Sequence, residues 1–190
     1  MKLSIGPIIK QATIDDLSKL KEIINLSFPL FFRYFAWHSV SDLTEPALVS
    51  ETEAIVSGFA KLIEFSIDSD KYGCILWIAV HPAYRRKGIA LALTNEGENY
   101  LKEKGSQVVF ASTQRRNSAA LATLGKAGFT PVGFLGLWQL FGWRAFSFYR
   151  HIWYAPGEVV LMNGSKKQNW SGEQDLNLRR LGICGLDRLE

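Results

Sequence analysis

Apolar and polar positions along the chain switch between a period of two and a period near 3.6, and the switches divide it into short strands and helices. Ile8 to Ala12 reads as a short edge strand. Leu17, Leu20, Ile23, Ile24 and Ser27 recur at helical spacing behind Thr13 or Asp15 as cap, which predicts a helix over 16–26. Pro29 interrupts it and opens a second short helix. Two strands follow over 46–50 and 54–65, turned at Glu51-Thr52-Glu53. After a turn over Asp68 to Lys71, Cys74 to Val80 is apolar on both faces, as in a central strand covered on two sides. A helix over 88–104 ends at Gly105, and Val108 to Ala111 forms the next strand. Another helix opens at Asn117 or Ser118 and runs to Gly128. Strands over 129–134 and 146–154 close the series, joined by the apolar segment Gly136 to Trp143.

The resulting order is β-α-α-β-β-β-α-β-α-β-β, an α/β (or α+β) layered fold with no internal repeat. Residues 1–162 form one domain on this reading. From Asn163 the apolar period is lost, and 163–190 is expected to be a loosely attached tail. Part of that tail, Asn169 to Arg180, is similar to peptides that arise when a reading frame crosses a structural RNA gene, so its basic pairs carry no functional inference.

Composition narrows the function classes. The chain has 190 residues, 47% of them hydrophobic, enough to bury a sizeable core. Its formal charge of +4 comes from 22 basic and 18 acidic residues, interspersed, without the basic-aromatic stripe that nucleic-acid binding requires. Two cysteines, Cys74 and Cys184, make a disulfide framework improbable and point to a reducing compartment. No signal-peptide pattern and no run of about 18 apolar residues is present, so a cytoplasmic protein without stable membrane insertion is expected. No metal site is expected.

The chemistry concentrates where the buried strand ends. Ala83 to Ala90 is a basic turn running into a helix, and the first N–H groups of a helix have no partner within it. They converge with the helix dipole on one anion. Gly88 lets the backbone approach a bulky phosphate, Ala90 is nearly as small, and Arg85, Arg86 and Lys87 add positive charge. The spacing matches neither the dinucleotide glycine fingerprint nor the Lys-Ser/Thr phosphate loop. Read alone, a plain helix-entry residue is the alternative for Gly88.

The stretch Trp77 to Ala90 resembles the cofactor motif of the GNAT family of N-acetyltransferases, Arg/Gln-x-x-Gly-x-Gly/Ala, through Arg85, Gly88 and Ala90. Asn117, Ala120, Gly128 and Phe129 fit the family's second segment, and the likeness covers roughly residues 5 to 155. The resemblance implies a GNAT-like mixed, mostly antiparallel central sheet flanked by helices, with acetyl-CoA as acyl donor. It implies that N–H groups from Arg86, Lys87, Gly88, Ile89 and Ala90 hold the pyrophosphate, with Arg85 beside them. The backbone of Ile78, Ala79 and Val80 would pair with the pantetheine arm, and Asn117 with Ala120 would meet that arm or an ordered water. Asn117 is also a candidate helix cap.

The resemblance implies direct attack by an amine in a ternary complex, with no covalent cysteine, which leaves Cys74 as a core thiol. The chain departs from the family at two places: Leu124 stands where a tyrosine commonly donates the leaving-group proton, and Ser112 where a glutamate often acts as base. Candidate catalytic residues are therefore Glu64, His81 and Ser112, the last as a water-positioning group, each with an ordinary structural role as its alternative. The aromatic run Phe28 to Trp37 and the segment Leu135 to Trp143 would flank the acceptor. The expected partner is an amine acceptor, either a small molecule or a peptide N-terminus, with a homodimer as the other use of the exposed rings. The rival function is an acyl-CoA-binding or regulatory protein with weak turnover.

Overall fold

The computed structural model describes residues 6–164, so the expectations for Cys184 and the tail beyond Gly164 lie outside the described residues. Seven strands form one sheet in the order β1-β2-β3-β4-β5-β7-β6. They are β1 (Ile8–Gln11), β2 (Ala47–Thr52), β3 (Ile55–Ile67), β4 (Asp70–Val80), β5 (Val108–Gln114), β6 (Thr130–Val132) and β7 (Glu158–Gly164). All neighbours pair antiparallel except β4 and β5. The helices are α1 (Leu17–Ser27), α2 (Leu30–Ser41), α3 (Ile89–Glu103), α4 (Ser118–Lys126), α5 (Phe134–Phe141) and α6 (Ala145–His151).

This is the expected mixed, mostly antiparallel sheet between helices, with one local correction. The segment over 146–154 is not a strand. Phe146 to Tyr149 lie in α6, and the last strand is β7, which ends at Gly164, beyond the boundary drawn at 162. The greasy connection is also helical: Leu137 and Phe141 from α5 and Ala145 and Phe148 from α6 supply an apolar stripe at helical spacing. Aromatic residues that suit a strand suit this stripe equally, and packing against the sheet decides.

The sheet is covered on both faces. On one face α3 and α4 bury Ile89, Leu93, Leu101 and Leu124 against Leu62, Ile75 and Val109. On the other, two separate helix pairs divide the surface. The α1–α2 pair packs Leu20, Ile23, Ala36 and Val40 over Phe59 and Ala79. The α5–α6 pair packs Leu137, Phe141 and Phe148 over Phe65, Cys74 and Phe110. A gap between the pairs lies over β3 and β4.

Glycines set how closely α3 approaches. A Cβ on Gly97 would stand 2.9 Å from Leu62 Cδ2, and one on Gly58 would stand 2.9 Å from the Ala79 carbonyl oxygen. The second neighbour is backbone and cannot rotate away. Gly58→Ala is therefore expected to lower stability by about 1–3 kcal/mol, the usual cost of overpacking, although alanine lowers the entropy of the unfolded chain. Urea unfolding measures this; an unchanged midpoint would contradict the close approach.

Candidate functional site

The site begins with an irregularity in β4. The β3–β4 register runs Lys61↔Trp77 and then Leu62↔Ile75, so Leu76 has no partner on β3. An extra residue of this kind bends its strand and raises its twist. The bend coincides with the end of the parallel ladder. β4 pairs with β5 only from Tyr72 to Ile75, opposite Val108 to Ala111. Beyond that point β5 continues alongside β7 through Gln114, while β4 continues alongside β3 to Val80. The two strands diverge, and a slot opens through the sheet.

The edge of β4 facing the slot carries backbone groups that pair with no strand. The His81 N–H donates to the Ser57 carbonyl on β3 at 2.9 Å. The alternation of an antiparallel ladder then turns the N–H and C=O of Ile78 and Val80 away from β3, toward the slot. Ala79 alternates with them and faces β3, so its expected backbone role falls to its neighbours. The Val80 carbonyl accepts from Arg85 Nε at 3.0 Å, and Arg85 Nη2 donates to Ser27 Oγ at 3.2 Å. The Arg85 guanidinium thus ties the turn to β4 and α1 and is not aimed at the anion cradle.

The cradle lies on the α3 side of the slot. Arg86 and Gly88 take positive φ of 63° and 78°. From Arg86 to Leu91 no backbone N–H has a hydrogen-bond acceptor among the described residues, a concavity of donors at the start of a helix. A Cβ on Gly88 would meet nothing within 4 Å, so the space above it is open. Lys87 Nζ lies 5.2 Å from the centre of the Tyr84 ring, at the rim. At the neighbouring helix start, Asn117 Oδ1 accepts from the Ala120 N–H at 3.1 Å. The cap is therefore real, and it uses only the carbonyl half of the amide.

The three catalytic candidates are not brought together. His81 Nδ1 accepts from the Ala83 N–H at 3.2 Å, and Nε2 lies 3.5 Å from Glu22 Oε1, so both ring nitrogens are engaged at the strand end. Glu22 itself is held below the usual carboxylate range, chiefly by the Lys19 hydrogen bond, with a smaller contribution from His81. Glu64 is exposed at the edge of the gap between the helix pairs, but it alternates with the floor residues Lys61, Ile63 and Phe65, which assigns its side chain to the α3 face. Ser112 lies on the same face of β5 as Val108 and Phe110, which pack under α5 and α6; its hydroxyl has no hydrogen-bond partner among the described residues and sits where β4 has left β5. Leu124 is buried in the α3–α4 core. Burial pushes the Cys74 thiol up, which removes it as a nucleophile.

Opposite the cradle, the gap between the helix pairs forms a cleft of about 360 Å³. The end of α2 (His38, Ser39) and Asp42 form one wall, and Arg150 and His151 of α6 with Trp153 form the other. Lys61, Ile63, Phe65 and Leu76 line its floor. Lys61 is almost fully buried and donates from Nζ to the carbonyls of Asp42 at 2.5 Å and Glu45 at 2.7 Å, closing the C-terminal turn of α2. Burial lowers its pKa. The expected aromatic wall is only partly in place: Phe28 and Phe32 pack on Trp77, whereas Phe31 and Tyr34 are exposed. Lys61, Leu76 and Arg150 were not singled out from the sequence. A lysine inside an apolar strand was the available signal for the first. Among the described residues no group of three metal-ligating side chains and no helix able to cross a membrane is present.

The acetyltransferase (GNAT) family model matches residues 14–129. The L-methionine sulfoximine/L-methionine sulfone acetyltransferase of Salmonella typhimurium is 30% identical over 97 residues, which is 50% of this chain and 57% of that protein; the match therefore spans little more than half of the relative. The PaiA N-acetyltransferase of Thermoplasma acidophilum, solved with coenzyme A, superposes with a TM-score of 0.58 at 17% identity, covering 84% of this chain and 99% of the other. The ribosomal-protein-S18-alanine N-acetyltransferase of Escherichia coli gives 0.58 at 18% identity, covering 86% and 97%.

Replacing Gly88 by aspartate puts a side chain at a positive φ and a carboxylate into the cradle. Gly88→Asp is expected to weaken acetyl-CoA binding at least ~10-fold, about 1.4 kcal/mol, in calorimetry. Unchanged affinity in a folded variant would remove the cradle from the site.

Proposed function

Because the chain belongs to the GNAT acetyltransferase family, we propose that it transfers the acetyl group of acetyl-CoA to a primary amine of a small molecule or a peptide N-terminus by direct attack in a ternary complex. The observation that carries this reading is the slot between β4 and β5, which joins the N–H cradle on one face of the sheet to the cleft on the other. A pyrophosphate on the cradle leaves the pantetheine arm to run along the edge of Ile78 and Val80. The thioester then lies within reach of an amine entering from the cleft.

The residues present fit such a donor. The amides of Arg86 to Leu91 offer hydrogen bonds with no acceptor among the described residues to give up, and the β4 edge offers the strand-like pairing that an extended amide arm needs. In the transfer, the neutral amine nitrogen forms a bond to the acetyl carbon, the carbon–sulfur bond breaks, and the proton lost by the nitrogen returns to the sulfur. An N–H of Ile78 or Val80 meets the oxyanion. Ser112 orders a water that carries the proton, because Leu124 has no proton to give. His81 stays outside the chemistry. The chain acts in this scheme as one soluble cytoplasmic domain whose last strand, β7, ends at Gly164.

A thiol-release assay across small amines and peptide N-termini tests the reading; binding of acetyl-CoA without release for any amine would favour a binding or regulatory role. Positioned proton transfer contributes about 10²–10⁴-fold in rate, and a hydroxyl that only orders water less, so Ser112→Ala is expected to lower kcat about 10-fold. His81→Gln is expected to leave the shape of the kcat/KM–pH profile in place, and loss of an ionisation from that profile would make His81 the base.

A further inference from the structure

Two of the helices carry large apolar side chains on the side that faces water. In α2 the buried residues are Ala36, Ser39 and Val40, all small, whereas Leu30, Phe31, Tyr34 and Phe35 are exposed. That reverses an ordinary amphipathic helix, whose large apolar side chains face the core. Leu30 is 80% exposed and Phe31 70%, so more of each lies in water than in protein. The rings adjoin one another, with centres 5.1 Å apart for Phe31 and Phe35 and 5.5 Å for Tyr34 and Phe35. Apart from Gly136 and Gln139, every residue of α5 is apolar or aromatic, and a helix apolar all round is normally enclosed. Here Phe134 and Leu135 are exposed, and the patch continues through Trp138 to Trp143, with ring centres 5.9 and 5.1 Å apart. Trp143 is 79% exposed, and the exposed Phe146 follows it at the start of α6. Apolar residues scattered singly on a surface are ordinary, but contiguous patches mark contact surfaces. Both patches belong to the helix pairs that cover one face of the sheet, on either side of the cleft.

The two patches also share a sign of charge. No Asp or Glu occurs from Ile23 to Ser41 or from Gly133 to Gly157. Tyrosines aside, the ionisable side chains of these segments are basic: Arg33, His38, Arg144, Arg150 and His151. Asp68 balances Arg144, but Arg33 donates to the neutral Phe28 carbonyl, and the exposed Arg150 has no carboxylate partner among the described residues. The carboxylates of Asp42, Glu45 and Glu64 line the cleft between the patches and do not belong to them. Rings bordered by basic groups match the boundary of an anionic bilayer, where aromatic side chains settle among head groups and cations meet phosphate. A second copy fits less well, because a two-fold contact would set these basic faces against each other. We propose that the outer faces of α2 and of α5–α6 dock the protein reversibly, from solution, on an anionic lipid surface. The rings enter the head-group layer, and no helix of the described residues is long and apolar enough to cross it.

Co-sedimentation of the full chain with lipid vesicles tests this, using phosphatidylcholine alone and phosphatidylcholine mixed equally with phosphatidylglycerol. Binding is expected to be at least about tenfold tighter to the mixed vesicles and to weaken at high salt. Replacing two exposed rings together, Phe31→Ser with Trp143→Ser, is expected to lower affinity for the mixed vesicles at least about tenfold. Arg150→Gln is expected to weaken binding to the mixed vesicles severalfold and to leave binding to neutral ones unchanged. All three side chains are exposed, so the thermal unfolding midpoint should stay at the wild-type value and shows that the variants are folded. No binding to the mixed vesicles, equal binding to neutral ones, or wild-type affinity in the double variant would overturn the proposal. So would a dimer in sedimentation equilibrium that the double variant dissociates without any vesicle binding, which would assign the face to a second copy. None of these readouts involves acetyl-CoA, so the proposal can fail while the acyltransferase reading stands.

Discussion

Leu76 is one residue too many for the ladder between β3 and β4, and the rest of the site depends on that surplus. The bulge reverses which face each later side chain of β4 occupies, so Trp77 and Ala79 pack beneath α1 and α2 while Ile78 and Val80 contribute to the α3–α4 core. It also bends β4 away from β5 after only four paired residues. A sheet normally satisfies its backbone internally, and an unsatisfied strand edge within it is costly unless something pairs with it. Here that edge lies between a helix start rich in free N–H groups on one face of the sheet and the cleft between the two helix pairs on the other.

Packing on the cleft face explains why the cleft exists. Neither helix pair alone covers β3 and β4, and each is anchored over its own cluster of apolar residues. The α5–α6 insertion between β6 and β7 brings Arg150, His151 and Trp153 to the wall facing α2. Lys61 fixes that opposite wall by holding the end of α2 through two carbonyls. Buried charge is tolerated when hydrogen bonds surround it, and two of the three ammonium N–H groups are satisfied in this way.

The helical and strand periods placed most elements within a few residues, because burial of one face decides both period and structure. The cradle was legible for the same local reason: a glycine after a basic turn at the start of a helix. The strand expected over 146–154 failed because Phe146, Phe148 and Tyr149 satisfy either period, and only contact with Phe65 and Phe110 selects the helix. The bulge was hidden inside Cys74 to Val80, where apolar residues on both faces conceal a change of parity. The partners of Lys61 and Arg85 lie distant in sequence or out of the backbone pattern, so neither the closed α2 terminus nor the tie from Arg85 to Ser27 could be read from spacing. Glu64 and His81 were chosen for their chemistry; Glu64 stands exposed at the edge of the cleft, and His81 has both ring nitrogens engaged at the strand end.

Amide hydrogen exchange followed by NMR, with and without saturating acetyl-CoA, tests most directly whether the slot and cradle act as one site. The account predicts that protection rises at Ile78 and Val80 and across Arg86 to Leu91, while Gln11 in the edge strand β1 and Tyr100 near the end of α3 do not change. Protection confined to the cradle, or rising only away from the diverging strands, would contradict a donor site that passes through the sheet.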